Sequence, residues 1–208
     1  VKKGEVGYDY SSLGAQLEWD ITDSIDFMAQ TIYSKEDNSN GYKLSLEWLM
    51  LGYSFSNDYK LRMGKMKVPL LKGSEVRNIN YAFLWTRPQI SPIGVNGFDS
   101  MYGVELIKNS YINDIDLEFQ VTAGQAEHTS SLIDNNHIYN VALQASYEAS
   151  WVHFSFGQIS FNQYLKDGSL LNKNVALTFA SVETEIHFNE LIFYGGYGYN
   201  TNDAIPDD

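Results

Sequence analysis

Cysteine is absent from this 208-residue chain. No disulfide can form, so cysteine usage says nothing of the redox compartment. Long apolar runs are missing too. No stretch approaches the ~18 residues of a spanning helix, which excludes helical membrane spans. A transmembrane barrel stays open, because its strands alternate and keep average hydropathy low. Positive charge is scarce: 14 Lys and Arg face 26 Asp and Glu, for a formal net charge of −12. An acidic surface argues against nucleic acid as a partner, since phosphate binding needs a basic footprint. The opening "VKKGEV" has no initiator Met, no apolar h-region and no small-residue cleavage site. The expectation is a removed leader or a fragment.

What the chain does have is aromatic residues, 15 Tyr, 11 Phe and 4 Trp, and a period of two. In "IDLEFQVTA" Ile115, Leu117, Phe119, Val121 and Ala123 alternate with Asp116, Glu118, Gln120 and Thr122. In "HIYNVALQASYEA" Tyr139, Val141, Leu143, Ala145 and Tyr147 oppose Asn140, Gln144, Ser146 and Glu148. In "YKLSLEWLMLGY" Tyr42, Leu44, Leu46, Trp48 and Met50 are read as one face, with Lys43, Ser45 and Glu47 beginning the other. A helix would mix these sets, whereas a strand separates them. Ten strands are expected, at 10–21, 25–34, 42–55, 59–71, 99–108, 114–126, 138–148, 151–164, 174–188 and 191–200. Short and long connections alternate between them. An up-and-down barrel does this, with tight turns on one rim and longer loops on the other. A soluble sandwich has no reason to. No repeat, linker or low-complexity tract breaks the chain, so residues 1–208 are read as one barrel domain, with 72–98 as its longest loop.

Half of the positive charge sits in one segment: Lys60, Arg62, Lys65, Lys67, Lys72, Arg77 and Arg87, with Glu75 the only acid among them. The apolar phase slips there, from Tyr59, Leu61 and Met63 to Met66, Val68 and Leu70. A slip in a regular strand swaps faces, and glycine is the natural occupant of a bulge. A bulge is therefore expected at Gly64, placing Lys60, Arg62, Lys65 and Lys67 on one face. Basic side chains facing lipid would cost ~2–4 kcal/mol each at the midplane, so that face should line the lumen. The bland alternative is a lysine-rich edge of a soluble sheet.

"LRMGKMKVPLLKGSEVRNINYAFLWTRPQ" followed by "NGFDSMYGVEL" resembles a family of Gram-negative outer-membrane porins. The matching positions are Leu61, Gly64, Lys65 and Pro69, then Tyr81, Ala82, Trp85, Arg87 and Pro88, then Phe98, Asp99, Gly103 and Glu105. The resemblance covers residues 13–107 and is generic afterwards. Lys65 stands where the family usually has Arg, and "DSMYG" separates Asp99 from Gly103. The resemblance implies a water-filled outer-membrane barrel of about sixteen strands, often a homotrimer, with residues 72–98 folding into the lumen as its constriction. Ten strands are too few for such a pore, so strands are expected to be missing at both ends.

On that reading the pore residues are Arg62, Lys65, Lys67, Lys72, Glu75, Arg77, Arg87 and Asp99. Their basic excess would favour anions, because rings of charge at a narrow point set selectivity. The expected partners are small hydrophilic solutes and outer-membrane lipid, with other envelope proteins possible; no cofactor and no enzymatic activity are expected. Alternatives remain open. The loop aromatics Tyr81, Phe83 and Trp85 suit a substrate-specific channel stacking sugars or aromatic acids. A structural barrel in an envelope complex is another reading. His153 and Ser155 share a face and resemble the His-x-Ser of outer-membrane phospholipases, without the Asn-Gly-Arg that follows there. Asp114, Asp116 and Glu118 lack a calcium loop. The histidines at 128, 137, 153 and 187 lack ligand spacing. "GGYGY" at 195–199 is no nucleotide loop, and its Tyr197 and Tyr199 suit an interfacial aromatic girdle.

Overall fold

A computed structural model of the chain describes residues 12–35, 42–67, 98–128, 133–165 and 167–202. They form ten strands: β1 (Ser12–Thr22), β2 (Ile25–Lys35), β3 (Tyr42–Ser56), β4 (Tyr59–Lys67), β5 (Phe98–Ile112), β6 (Ile115–His128), β7 (Ile133–Tyr147), β8 (Ser150–Tyr164), β9 (Leu170–Phe188) and β10 (Leu191–Asn202). They lie in one antiparallel sheet in sequence order, an up-and-down meander whose end strands β1 and β10 are not paired with each other. Among the described residues there is no helix.

Every expected strand is present, with shifted ends. Of the tract 109–113, read as a loop, residues 109–112 belong to β5, where Asn109, Ser110, Tyr111 and Ile112 pair with Glu118, Leu117, Asp116 and Ile115. Strands β7 and β9 start earlier than expected, at Ile133 and Leu170. Polar residues there look like loop, yet the ladder continues because neighbouring strands satisfy their backbone groups.

Five two-residue turns, at 23–24, 57–58, 113–114, 148–149 and 189–190, share one rim. They are built in two ways. Asn113, Glu148 and Asn189 take positive φ of 54°, 51° and 53°, the conformation that tight hairpin turns demand. The other two turns use a hydroxyl. Thr22 Oγ1 accepts from the N–H of Ser24 and Ile25 at 3.3 and 3.1 Å, and Ser56 Oγ accepts from Asp58 N–H at 3.3 Å.

The two faces of the sheet are inverted relative to a water-soluble protein. The exposed face is apolar: Val104, Leu106, Val121, Val141, Leu143, Phe154 and Phe156 are all 39–60 % exposed. Aromatic residues stand at both ends of this band. Trp19, Tyr53, Phe55, Tyr147 and Phe188 are exposed near the short turns, and Tyr33, Tyr102, Tyr139, Tyr197 and Tyr199 are exposed further up the strands. The covered face carries buried polar groups, among them Glu105, Thr122, Asn140, His153, Ser155, Ser181 and Glu183. We call these faces outer and inner.

One phase change was missed in the sequence reading. In β3, Trp48 pairs with Gln30 and Leu46 with Thr31, leaving Glu47 as an extra residue. The bulge moves Trp48 and Met50 to the inner face, where they are 8 % and 5 % exposed, while Leu44 and Leu46 stay outside with Leu49 and Leu51. The expected single face from Tyr42 to Met50 is therefore split at Glu47.

Candidate pore wall

The inner face is layered, because antiparallel register sets side chains of neighbouring strands in rows. Towards the long-loop rim lies an apolar shelf of Met66, Met101, Ala126, Ile138, Ile159, Phe161, Val175, Leu177 and Phe179. Met101, Ile138, Ile159 and Phe179 are 0 % exposed. The shelf has a glycine floor: Gly64, Gly103 and Gly124 are directly opposite one another across β4, β5 and β6. A Cβ on Gly103 would lie 2.4 Å from the Met101 Cε and 2.3 Å from the Ala123 carbonyl oxygen, so the methionine folds over space that only glycine leaves.

Polar rows follow towards the short turns. In one, Arg62, Glu105, Thr122, Asn140 and Gly157 are neighbours from strand to strand. The Arg62 Nη1 donates to Glu105 Oε2 at 3.2 Å. In the next, Ser155 stands beside Ala142 and Ser181, and its hydroxyl reaches up the wall to donate to Asn140 Oδ1 at 2.9 Å. Thr122 Oγ1 is buried with no hydrogen-bond partner among the described residues. Nearer the turns, Lys60 Nζ meets Asp26 Oδ1 at 2.6 Å. On β1 and β2 the inner row holds Gln16, Glu18, Asp20, Asp26 and Gln30, because Gln16 pairs with Gln30 and Asp20 with Asp26. Gln30 Nε2 donates to Gln16 Oε1 at 2.5 Å.

The expected bulge at Gly64 is not there. Register runs unbroken through Gly64 against both β3 and β5. Gly64 instead takes φ +135°, where a Cβ would sit 2.1 Å from the Leu49 carbonyl oxygen. It is a close-approach glycine, not an inserted residue. Alternation therefore divides the basic segment. Lys60 and Arg62 lie on the inner face. Lys65 is flanked by Leu49 and Tyr102 of the outer face, with its Nζ 5.5 Å from the Tyr102 ring centroid. The apolar residue that shifted phase, Met66, points inward and joins the shelf opposite Met101. The expected common face failed because the inner wall itself turns apolar there.

Nor are these bases unpaired. Arg62 binds Glu105, Lys65 Nζ meets Glu127 Oε2 at 2.5 Å, and Lys67 Nζ is bonded to Glu47. Asp99 is the extra residue where β5 slips against β6 between Phe98 and Ser100. Lys72, Glu75, Arg77 and Arg87, the loop aromatics Tyr81, Phe83 and Trp85, and nearly all of the 72–98 segment lie outside the described residues. His153 and Ser155 share the inner face and are buried, so they do not face the apolar surface a lipid substrate would contact.

The sequence reading passed over another group. Trp151 pairs with Glu185 across β8 and β9, and Glu185 pairs with Tyr194 across β9 and β10. The Trp151 and Tyr194 rings approach to 6.2 Å at 67°. The Tyr194 hydroxyl donates to Glu183 Oε1 at 2.7 Å, and His187 Nε2 is 2.6 Å from Glu185 Oε1. Period two was the available signal: in "VETEIHF" it puts Glu183, Glu185 and His187 on one face.

No family model matches the chain, and no curated protein matches it. Among solved structures the chain is similar to OmpT (in-vitro folded), an outer membrane protein of Vibrio cholerae. The TM-score is 0.42 and the identity 11 %, over 94 % of this chain and 69 % of that one.

Proposed function

We propose that the chain forms the wall of an outer-membrane barrel and passes small hydrophilic solutes by diffusion. The observation that carries this is the inverted partition of the sheet: Glu105, Thr122, Asn140, Ser155 and Glu183 are turned inward while an aliphatic band stands exposed between two sets of aromatics. Outer-membrane barrels have an apolar band of about 25 Å between aromatic girdles and a polar interior. A soluble sheet exposing so much contiguous apolar surface would aggregate. In a bilayer the edges of β1 and β10 must also be paired, which a closed barrel does.

The described wall supports a cation preference better than the anion preference read from the sequence. Its inner bases Lys60 and Arg62 are held by Asp26 and Glu105. Glu18, Asp20 and Asp116 stand exposed on the same face. Carboxylates lining a pore favour cations. The test is conductance of the protein in planar bilayers under a KCl gradient. Discrete channels with a reversal potential on the potassium side are expected. Absence of conductance would sink the channel reading, and a chloride-side potential would return the filter to the basic segment.

A further inference from the structure

We infer that the outer face carries a docking site for an anionic phospholipid, with Lys108 taking the phosphate and Phe55, Tyr59 and Phe119 the acyl chains. The inference rests on the membrane reading above, which puts lipid against this face; the choice of headgroup comes from this chain alone. Alternation along β5 puts Lys108 outside with Val104 and Leu106, while Glu105 and Ile107 are buried on the inner face. Register sets Lys108 between Tyr59 of β4 and Phe119 of β6, and its side chain is exposed. A lysine on a lipid-facing surface is costly unless its ammonium reaches the headgroups. The fold places Lys108 where it can. Asn109 N–H donates to the Asp58 carbonyl oxygen in the β3–β4 turn at 2.7 Å, so Lys108 is level with the end of that hairpin. Strand β5 runs on to Ile112, which leaves a step in the short-turn rim beside Lys108.

The bases of β4 supply the contrast that selects the partner. Lys60, Arg62, Lys65 and Lys67 each meet a carboxylate. Lys108 meets a ring instead: its Nζ lies 5.5 Å from the Tyr59 ring centroid. Among the described residues it ion-pairs with no carboxylate. A ring face steadies an ammonium without neutralising it, and the ammonium has three N–H donors to place. A phosphodiester in the adjoining headgroup layer supplies both the opposite charge and the acceptor oxygens. A zwitterionic headgroup carries its own cation and gains less. Apolar surface for the chains lies beside the ammonium. Phe55 stacks on Tyr59 with ring centroids 5.4 Å apart, and Phe55 and Phe119 are 50 % and 41 % exposed.

The experiment is native mass spectrometry of the full barrel, released from detergent micelles that hold equal amounts of phosphatidylglycerol and phosphatidylcholine with the same acyl chains. Phosphatidylglycerol should be retained about fivefold over phosphatidylcholine. Lys108→Gln should abolish the preference and Lys108→Arg should keep it. Lys173→Gln, which removes an exposed base on β9, should leave it unchanged. Equal retention of the two lipids by the wild type, or an undiminished preference in Lys108→Gln, would overturn the site. A barrel that conducts yet retains the two lipids equally sinks the lipid site alone. One that retains phosphatidylglycerol through Lys108 without conducting sinks the channel reading alone.

Discussion

Substituting Val121 by Arg tests which solvent the outer face meets. Val121 lies midway along β6, 39 % exposed, and its register neighbours Leu106 and Val141 are 39 % and 42 % exposed. In water such a position tolerates Arg within about 0.5 kcal/mol. In the hydrocarbon core the same change costs ~2–4 kcal/mol. That is about 30- to 700-fold in the folding constant at 1.4 kcal/mol per tenfold. The paired variant is Gln120→Arg, one residue away and on the inner face. There the guanidinium meets a polar wall with Glu118 two residues on, and the expected cost is under ~1 kcal/mol. Equilibrium urea unfolding in phospholipid vesicles, followed by tryptophan fluorescence, measures both. A small cost at Val121, or the larger cost at Gln120, would refute the assignment of faces on which the channel reading depends.

Gly64→Ala should destabilise the fold by at least ~1–3 kcal/mol, because φ is +135° and a Cβ would press on the Leu49 carbonyl oxygen. Gly195→Ala, with nothing within 4 Å of its Cβ, should be neutral in the same unfolding assay. Arg62→Ala should cost ~2–3 kcal/mol, since the Glu105 side chain is 4 % exposed and loses a charged partner. A double-mutant cycle with Glu105→Gln should recover part of that loss; strict additivity would mean the pair is not coupled. The Asp167 carboxyl is held below its usual range by hydrogen bonds from the Ser169 hydroxyl and N–H. Its folded pKa is depressed. The loop contribution is therefore complete above the ordinary carboxylate pKa and is lost as pH falls through the folded value. The Ser169 amide resonance should shift over that acidic window, and Asp167→Asn should abolish the shift.

Strand number and order were legible because period two and turn chemistry are local properties. Tracts such as Ile115–Ala123 and Tyr139–Tyr147 separate into the faces that the ladder later displays. Which face a residue joins was legible only where polarity and face coincide. At Glu47 an inserted residue shifted the phase, and hydropathy registered nothing because Trp48, Leu49, Met50 and Leu51 are all apolar. At Gly64 hydropathy shifted and the register did not, because Met66 and Met101 belong to an apolar part of the inner wall. A bulge was inferred at Gly64, where there is none, for that reason.

The charge story divides in the same way. Composition alone determined that the protein is acidic, and spacing alone that its bases cluster on β4 and the segment after it. Only the tertiary structure decided what those bases do. Their carboxylate partners come from β2, β3, β5 and β6, as Asp26, Glu47, Glu105 and Glu127, between 20 and 62 residues away in sequence. No local pattern encodes such meetings, because they arise when strand register brings distant positions side by side. Alternation within single strands made the up-and-down sheet readable, and pairing between strands made its inner face.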